Sequence, residues 1–323
     1  MSKFVPILMS AFGFNTGGFM PGLSGTESHP HLAQVMPYRF NPDTFRILQF
    51  TWTREVNRES HRPRRGVWLS GPKGAGKTTL IEQFFARLGV PVASITCNRE
   101  FRVLDAIQTK TLKPVVGGGM QIVHQDGPIA AAMRGGFPIL LNELDLADPG
   151  ELTGLNDIVD RGHYVVPDTG EVIRAERGFL LCAAANSNGG GDLSGEYAGV
   201  GTMNTALMSR FFKFSVSYPT AAEELEVLRA AGVIADGSLE STAVKLVEIA
   251  GMLRDAYERR ESGLTSPIST RELIDVMDAL PAFAHLASKG ISPVEFVLGL
   301  VYTNGLEPAA AEAVRQVIQR VLA

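Results

Sequence analysis

The sequence predicts an α/β fold: a five-stranded parallel sheet flanked by helices, a β-hairpin insertion and a C-terminal all-helical domain. Three observations predict it. Short apolar runs alternate with helical periodicity from Val67 to Val216, as in sheets buried on both faces by crossover helices. The segment HYVVPDTGEVIRAERG alternates around Asp168-Thr169-Gly170 and reads as a hairpin. After Pro219 strand-like runs stop and only helix starts remain.

Taken in order, residues 1–40 are rich in Gly, Pro, Ser and His without periodicity and are expected to be an irregular extension. His29-Pro30-His31 offers two imidazoles, an incomplete metal site, and reads as a loop. A helix is expected from Asn41-Pro42-Asp43 to about Asn57. HRPRRG, residues 61–66, reads as a basic, solvated linker. Val67-Trp68-Leu69 is the first sheet strand. Leu80, Ile81, Phe84, Phe85 and Leu88 follow helical spacing, and Gly89 stops that helix. Residues 91–96, 139–141, 179–184 and 211–216 supply the other four strands. The core domain is expected over 41–219 and the helical domain over 220–323. Thr220/Glu223, Ser269/Glu272 and Ser292/Glu295 carry the capping-box pattern, the last with Pro293 at the first helical position.

The 323 residues suffice for one large α/β domain and a smaller one. The net charge of −4 gives no general electrostatic reason to bind nucleic acid, and no aromatic-basic stripe is visible. Two cysteines, Cys97 and Cys182, are too few for a disulfide framework and suit a reduced, cytoplasmic protein. The N-terminal apolar patch lacks the long apolar region of a signal peptide. No apolar run approaches the ~20 residues of a membrane helix.

The chemistry concentrates in three places. Gly71-Pro72-Lys73-Gly74-Ala75-Gly76-Lys77-Thr78, followed by Thr79, fits G-x-x-x-x-G-K-[ST] between a strand and an amphipathic helix. Its glycines let backbone N–H groups turn inward around phosphate oxygens, and the helix N-terminus adds partial positive charge. ATP and Mg²⁺ are the expected cofactors, with Lys77 on the β- and γ-phosphates and the Thr78 hydroxyl on the metal. The strand at 139–141 runs into Asn142-Glu143. Glu143 is placed to orient an attacking water. Asn142 can accept a hydrogen bond near the metal but carries no charge, so weaker Mg²⁺ binding is expected. Asp145 either compensates or is simply solvated. Asn186, after the small residues CAAA, either holds the water or γ-phosphate or forms a turn.

The order GPKGAGKT, HQDGPIAAAMRGG, ILLNELD and AAANSNGGGDLSGEYAGVGTMNTALMSRF, then SPISTREL, resembles AAA+ ATPases of the MoxR and dynein-related group. It is most similar to the CobS-type subunits of aerobic cobaltochelatase. The resemblance spans roughly residues 36 to 290, and Asn186–Phe211 is its most specific part. It implies an AAA+ core with a helical lid, a ring that is a homo-hexamer, and ATP hydrolysis coupled to remodelling of a partner. Lys77 and Thr78 match the Walker A pair, Glu143 the Walker B glutamate and Asn186 the first sensor. Arg210 matches the finger that reaches a neighbouring subunit's nucleotide, and Arg271 the second sensor. Asn142 departs from the family's aspartate. The usual partner is a separate protein with a von Willebrand A domain, and metal chelation is one associated activity. Two other readings stand beside this one: an ATP-gated scaffold with little hydrolysis, motivated by Asn142, and a nucleic-acid-stimulated motor, which the net acidity disfavours.

Overall fold

A computed structural model describes residues 3–59, 61–114, 119–190, 202–234, 237, 239–259, 264 and 266–322. The chain divides into two compact units. The first takes in residues 1–36, 40–71 and 77–216. The second takes in residues 37–39, 72–76 and 217–323.

The first unit begins with an antiparallel hairpin, β1 (Lys3–Leu8) and β2 (Phe19–Ser24). Helix α1 (Pro42–Val56) follows, its N-terminus capped by the Asn41 side chain, which accepts from the Asp43 and Thr44 amides. Next come β3 (Gly66–Ser70), α2 (Lys77–Arg87), β4 (Ala93–Thr96) and α3 (Val103–Ile107). A second hairpin, β5 (Gln108–Pro114) and β6 (Met120–Asp126), leads to α4 (Pro128–Gly135). Then come β7 (Ile139–Asn142), α5 (Asn156–Asp160), the hairpin β8 (His163–Val165) and β9 (Val172–Arg174), and β10 (Leu181–Ala185). Helix α6 (Thr205–Met208) and strand β11 (Phe211–Ser215) complete the unit.

Strands β11, β3, β10, β7 and β4 form one sheet in that order, every neighbouring pair parallel. The five strands expected from the sequence are these five. Strands β3 and β10 are buried at every residue, which explains their uninterrupted apolar or small sequences. Below one face lie the α2 side chains Leu80, Ile81, Phe84 and Phe85, all at most 2% exposed. Burying each phenylalanine contributes about 2–3 kcal/mol relative to leaving it in water.

The N-terminal segment departs from the expected irregular extension. Its strands are interrupted in pattern by Pro6, Pro21 and Gly22, so the sequence shows no alternation. The hairpin is fixed by distant backbone instead. Leu23 N donates to Leu88 O at 2.8 Å, and Trp52 Nε1 donates to Pro21 O at 2.6 Å. A side chain at Gly22 would meet Leu88 O at 2.4 Å. Phe12 then joins Phe40, Phe45 and Phe84 in an aromatic cluster.

The basic linker is also corrected, at Arg64. This residue is 5% exposed; it pairs with buried Glu55 and donates to the carbonyls of Ala175 and Phe179. Burial pushes the Glu55 carboxyl up to about 7, against the pull of Arg64.

The second unit is helical: α7 (Ala221–Ala230), α8 (Glu240–Glu258), α9 (Thr270–Phe283), α10 (Pro293–Val301) and α11 (Pro308–Leu322). Reciprocal capping boxes start α7 at Thr220/Glu223 and α9 at Ser269/Glu272. Ser292 caps α10 by accepting from Glu295 N. Arg254 anchors the interior. It forms two 2.8 Å bonds to Glu224, donates to Ile268 O and lies over the Tyr218 ring. No helix is long and apolar enough to cross a membrane among the described residues.

Candidate functional site

The loop between β3 and α2 carries the glycine-rich motif. Gly71 has φ +152°, and a Cβ there would lie 2.0 Å from Val216 O, so only glycine lets β3 leave the sheet beside β11. Gly76 has φ +83° with open space where a side chain would stand. Ala75 N donates to Pro72 O at 3.3 Å, and Tyr218 Oη donates to Lys73 O at 2.6 Å. The turn delivers the chain into α2, whose first amides, from Lys77 through Thr79 onward, have no partner within the helix. The N–H groups of a helix's first turn and the helix dipole together favour an anion.

Lys77 is 9% exposed. Its Nζ donates to Gly71 O at 2.7 Å and to Asn186 Oδ1 at 3.0 Å. Burial lowers its pKa to about 8, while Asp145 and Glu143 pull the other way. Thr78 Oγ1 donates to Asn142 Oδ1 at 2.8 Å, and Asn142 Nδ2 donates to Ser94 Oγ at 2.8 Å. These contacts follow from the sheet order. Strand β7 ends beside β4 on one flank and β10 on the other, so their C-terminal residues meet in front of α2.

Glu143 is the one described non-glycine residue with positive φ, +53°. Left-handed backbone in a glutamate is strained, and such strain gathers where a side chain must be aimed. Here it turns the chain sharply out of β7 and leaves the carboxylate exposed. Asp145 is not solvated, contrary to one of the two readings above. It is 0% exposed, and its Oδ2 accepts from the Asn186 amide at 3.0 Å and the Ser187 amide at 2.9 Å. It therefore fixes the end of β10, which in turn sets Asn186 against Lys77. Cys97 lies nearby, its amide bonded to Asn142 O at 2.8 Å. Burial, with Glu143 and Asp145 adding to it, pushes its thiol up to about 12 and makes it inert.

The fold thus brings Lys77, Thr78, Asn142 and Asn186 into one bonded group with Glu143 beside it. Arg210 is not in that group. It directly precedes β11, whose first residue pairs with Gly66, at the end of the strands opposite to the glycine-rich loop. Its guanidinium donates to Ala206 O, and its Nε lies 3.5 Å from Asp160. Arg271 belongs to the second unit, exposed in the first turn of α9. Much of the glycine-rich stretch between Asn186 and Phe211, residues 191–201, lies outside the described residues. Sequence reasoning missed Ser94, a small polar residue in a strand that carries no motif.

The donor set suits a triphosphate with magnesium. A buried ammonium and the N-terminal turn of α2 face one region. The Thr78 hydroxyl gives its proton to Asn142 and keeps its lone pairs for a hard cation. No group of three or more His, Cys, Asp or Glu that could hold a metal by itself occurs among the described residues.

Residues 66–211 match the AAA domain of the dynein-related subfamily. The chain is 31% identical over 218 residues to the uncharacterized protein SH1500 of Staphylococcus haemolyticus, covering 67% of this chain and 78% of that one. It is 31% identical over 219 residues to the uncharacterized protein SAOUHSC_01413 of Staphylococcus aureus, with the same coverage. Among solved structures, a Thermotoga maritima RuvB mutant aligns at TM-score 0.47 and 13% identity, over 83% of this chain and 73% of that one.

Proposed function

The chain belongs to the dynein-related AAA domain family, and on that premise we propose that it is an ATPase working in a ring. ATP is held by the Gly71–Thr78 loop. The observation that carries this is the bonded group Lys77–Asn186 and Thr78–Asn142 at the C-terminal ends of three parallel strands. Lys77 places positive charge on the β- and γ-phosphates. Thr78 and Asn142 hold Mg²⁺, which when bound draws charge off the phosphate oxygens. Glu143 accepts a proton from, and orients, the attacking water. Asn186, kept in place by Asp145, fixes the outer phosphate or that water.

Arg210 completes the neighbour's site rather than its own. It stands at the wrong end of the strands for its own nucleotide, about 15 Å from Ser70 along the strand direction. An arginine finger there supplies transition-state charge only in an assembly, and its guanidinium must leave Asp160 to do so. Arg271, at the start of α9, is the second sensor. The ring, a hexamer in this reading, transmits the cycle to a separate partner protein. A partner with a von Willebrand A domain, and a role in metal chelation, are the finer expectations carried by the CobS-like motifs.

Glu143→Gln tests the reading. Nucleotide binding should persist, and phosphate release should fall by about a hundredfold or more. Unchanged turnover removes Glu143 from the chemistry. One observation favours a second reading, an ATP-gated scaffold: Asn142 is neutral where the family carries a carboxylate. Phosphate release from the wild-type oligomer at saturating Mg²⁺ separates the two.

A further inference from the structure

We propose that Arg65 is a second arginine lent to the neighbouring copy: beside Arg210, it binds phosphate oxygens of the nucleotide held by the next subunit of the ring. The inference rests on the ring reading above and deepens it, since it adds a residue to the site that two copies share.

The sheet places the two arginines together. Gly66 N donates to Arg210 O at 3.0 Å, and Gly66 stands opposite Phe211 in the parallel β3–β11 pair. Arg65 and Arg210 therefore enter neighbouring strands side by side, about 5 Å apart across the sheet. Their guanidiniums also meet one short helix. Arg65 donates to Ser209 O and Arg210 to Ala206 O, carbonyls one turn apart at the end of α6. An anion docked at Arg210 thus lies within a side chain's reach of Arg65. The chain's own nucleotide does not. Arg65 precedes β3 at the end away from the glycine-rich loop, roughly 16 Å from Ser70 along the strand.

Charge supplies the second argument. Among the described residues Arg210 has a carboxylate beside it, Asp160 at 3.5 Å, whereas Arg65 holds a neutral carbonyl and no carboxylate. A guanidinium binds phosphate oxygens by charge as well as by hydrogen bond, and can do so through two parallel N–H groups. Exchanging Ser209 O for phosphate is therefore favourable, and Arg65 gives up no ion pair to make the exchange. The surroundings leave the charge uncompensated. Burial lowers the pKa of Arg54, and the charges of Arg65, Arg62 and Arg58 lower it further against the pull of Glu55. An incoming triphosphate meets a positive field there.

Subunit mixing on the full chain tests it, with phosphate release as the readout. In a ring each copy lends its arginines to one neighbour and receives them from the other. Arg65→Ala should lower turnover at least about tenfold, the loss of one contact to a charged group. Arg65→Gln keeps an N–H donor for Ser209 O but has no charge, and should lose as much. Each variant is then co-expressed with Glu143→Gln chains, and mixed assemblies are isolated through two different tags. An intact Glu143 in one chain and an intact Arg65 in the chain that serves it make a complete site. Roughly a quarter of the sites should then work, where neither parent assembly turns over at that level. Wild-type turnover in either Arg65 variant, or mixtures no more active than their parents, would overturn the proposal, because a residue that supports only its own subunit is not rescued by a neighbour. Arg210→Ala mixed with Glu143→Gln in the same way keeps the failures apart. Recovery there but not with Arg65→Ala removes Arg65 alone. No recovery in either mixture, or a wild-type oligomer that releases no phosphate, removes the shared site and both arginines with it.

Discussion

At the residue scale, Lys77 governs how the site responds to pH. Burial brings its pKa from 10.5 down to about 8, so the free protein begins to lose this proton close to physiological pH. Only the ammonium attracts phosphate, so ATP affinity should fall as pH rises through about 8. For the fold the sign is the reverse. A base with a depressed folded pKa is costly while both states are protonated, below about 8. That cost is relieved as pH rises from there toward the unfolded value of 10.5. Calorimetry at pH 8.5 in two buffers of different ionisation enthalpy should show net proton uptake on ATP binding. Binding with no proton uptake would mean that Lys77 is already charged there. Asn142 shows a different kind of economy. The amide keeps the Thr78 contact that a carboxylate would make, gives up a unit of charge, and donates to Ser94 Oγ.

At the element scale, the join between β7 and β10 decides whether the site is assembled. Asp145 sits just beyond β7 and holds the first two amides after β10 with one oxygen. Asp145→Ala strips both donors of their partner in a fully buried place. It should lower the unfolding free energy by about 2–4 kcal/mol in urea denaturation and weaken Lys77's hold on Asn186. A change within about 0.5 kcal/mol would mean those amides find other partners. The same elements show what the sequence makes legible. The five sheet strands were readable because burial on both faces demands uninterrupted apolar or small residues. The β8–β9 hairpin was readable because Asp168-Thr169-Gly170 marks its turn. The β5–β6 hairpin was not, for a physical reason: almost every residue of both strands is exposed, so no face imposes an apolar-polar alternation. The β1–β2 hairpin escaped because its constraint is a contact with Leu88, far along the chain. Arg64 escaped because its partners, Glu55 and three carbonyl oxygens near residues 175–179, are unrelated to it by any spacing. In the site, the loop glycines, Lys77, Thr78 and Glu143 follow from motif alone. Asp145 and Ser94 do not, because each acts by holding another residue.

At the scale of the whole molecule, the chain comprises an α/β unit and an all-helical one, and residues 72–76 of the glycine-rich loop belong to the latter, with Tyr218 Oη donating to Lys73 O. Arg210, at the end of the strands away from the loop, is under the proposed function the residue that would make turnover depend on assembly. All of this depends on ATP being gripped by the loop from Gly71 to Thr78. The most direct measurement is ATP affinity of Lys77→Ala by calorimetry at pH 7 with Mg²⁺. Removing a buried ammonium from the phosphates should cost at least about 2–3 kcal/mol, a loss of roughly thirtyfold or more. A variant that remains folded and binds ATP as tightly as wild type would contradict the account.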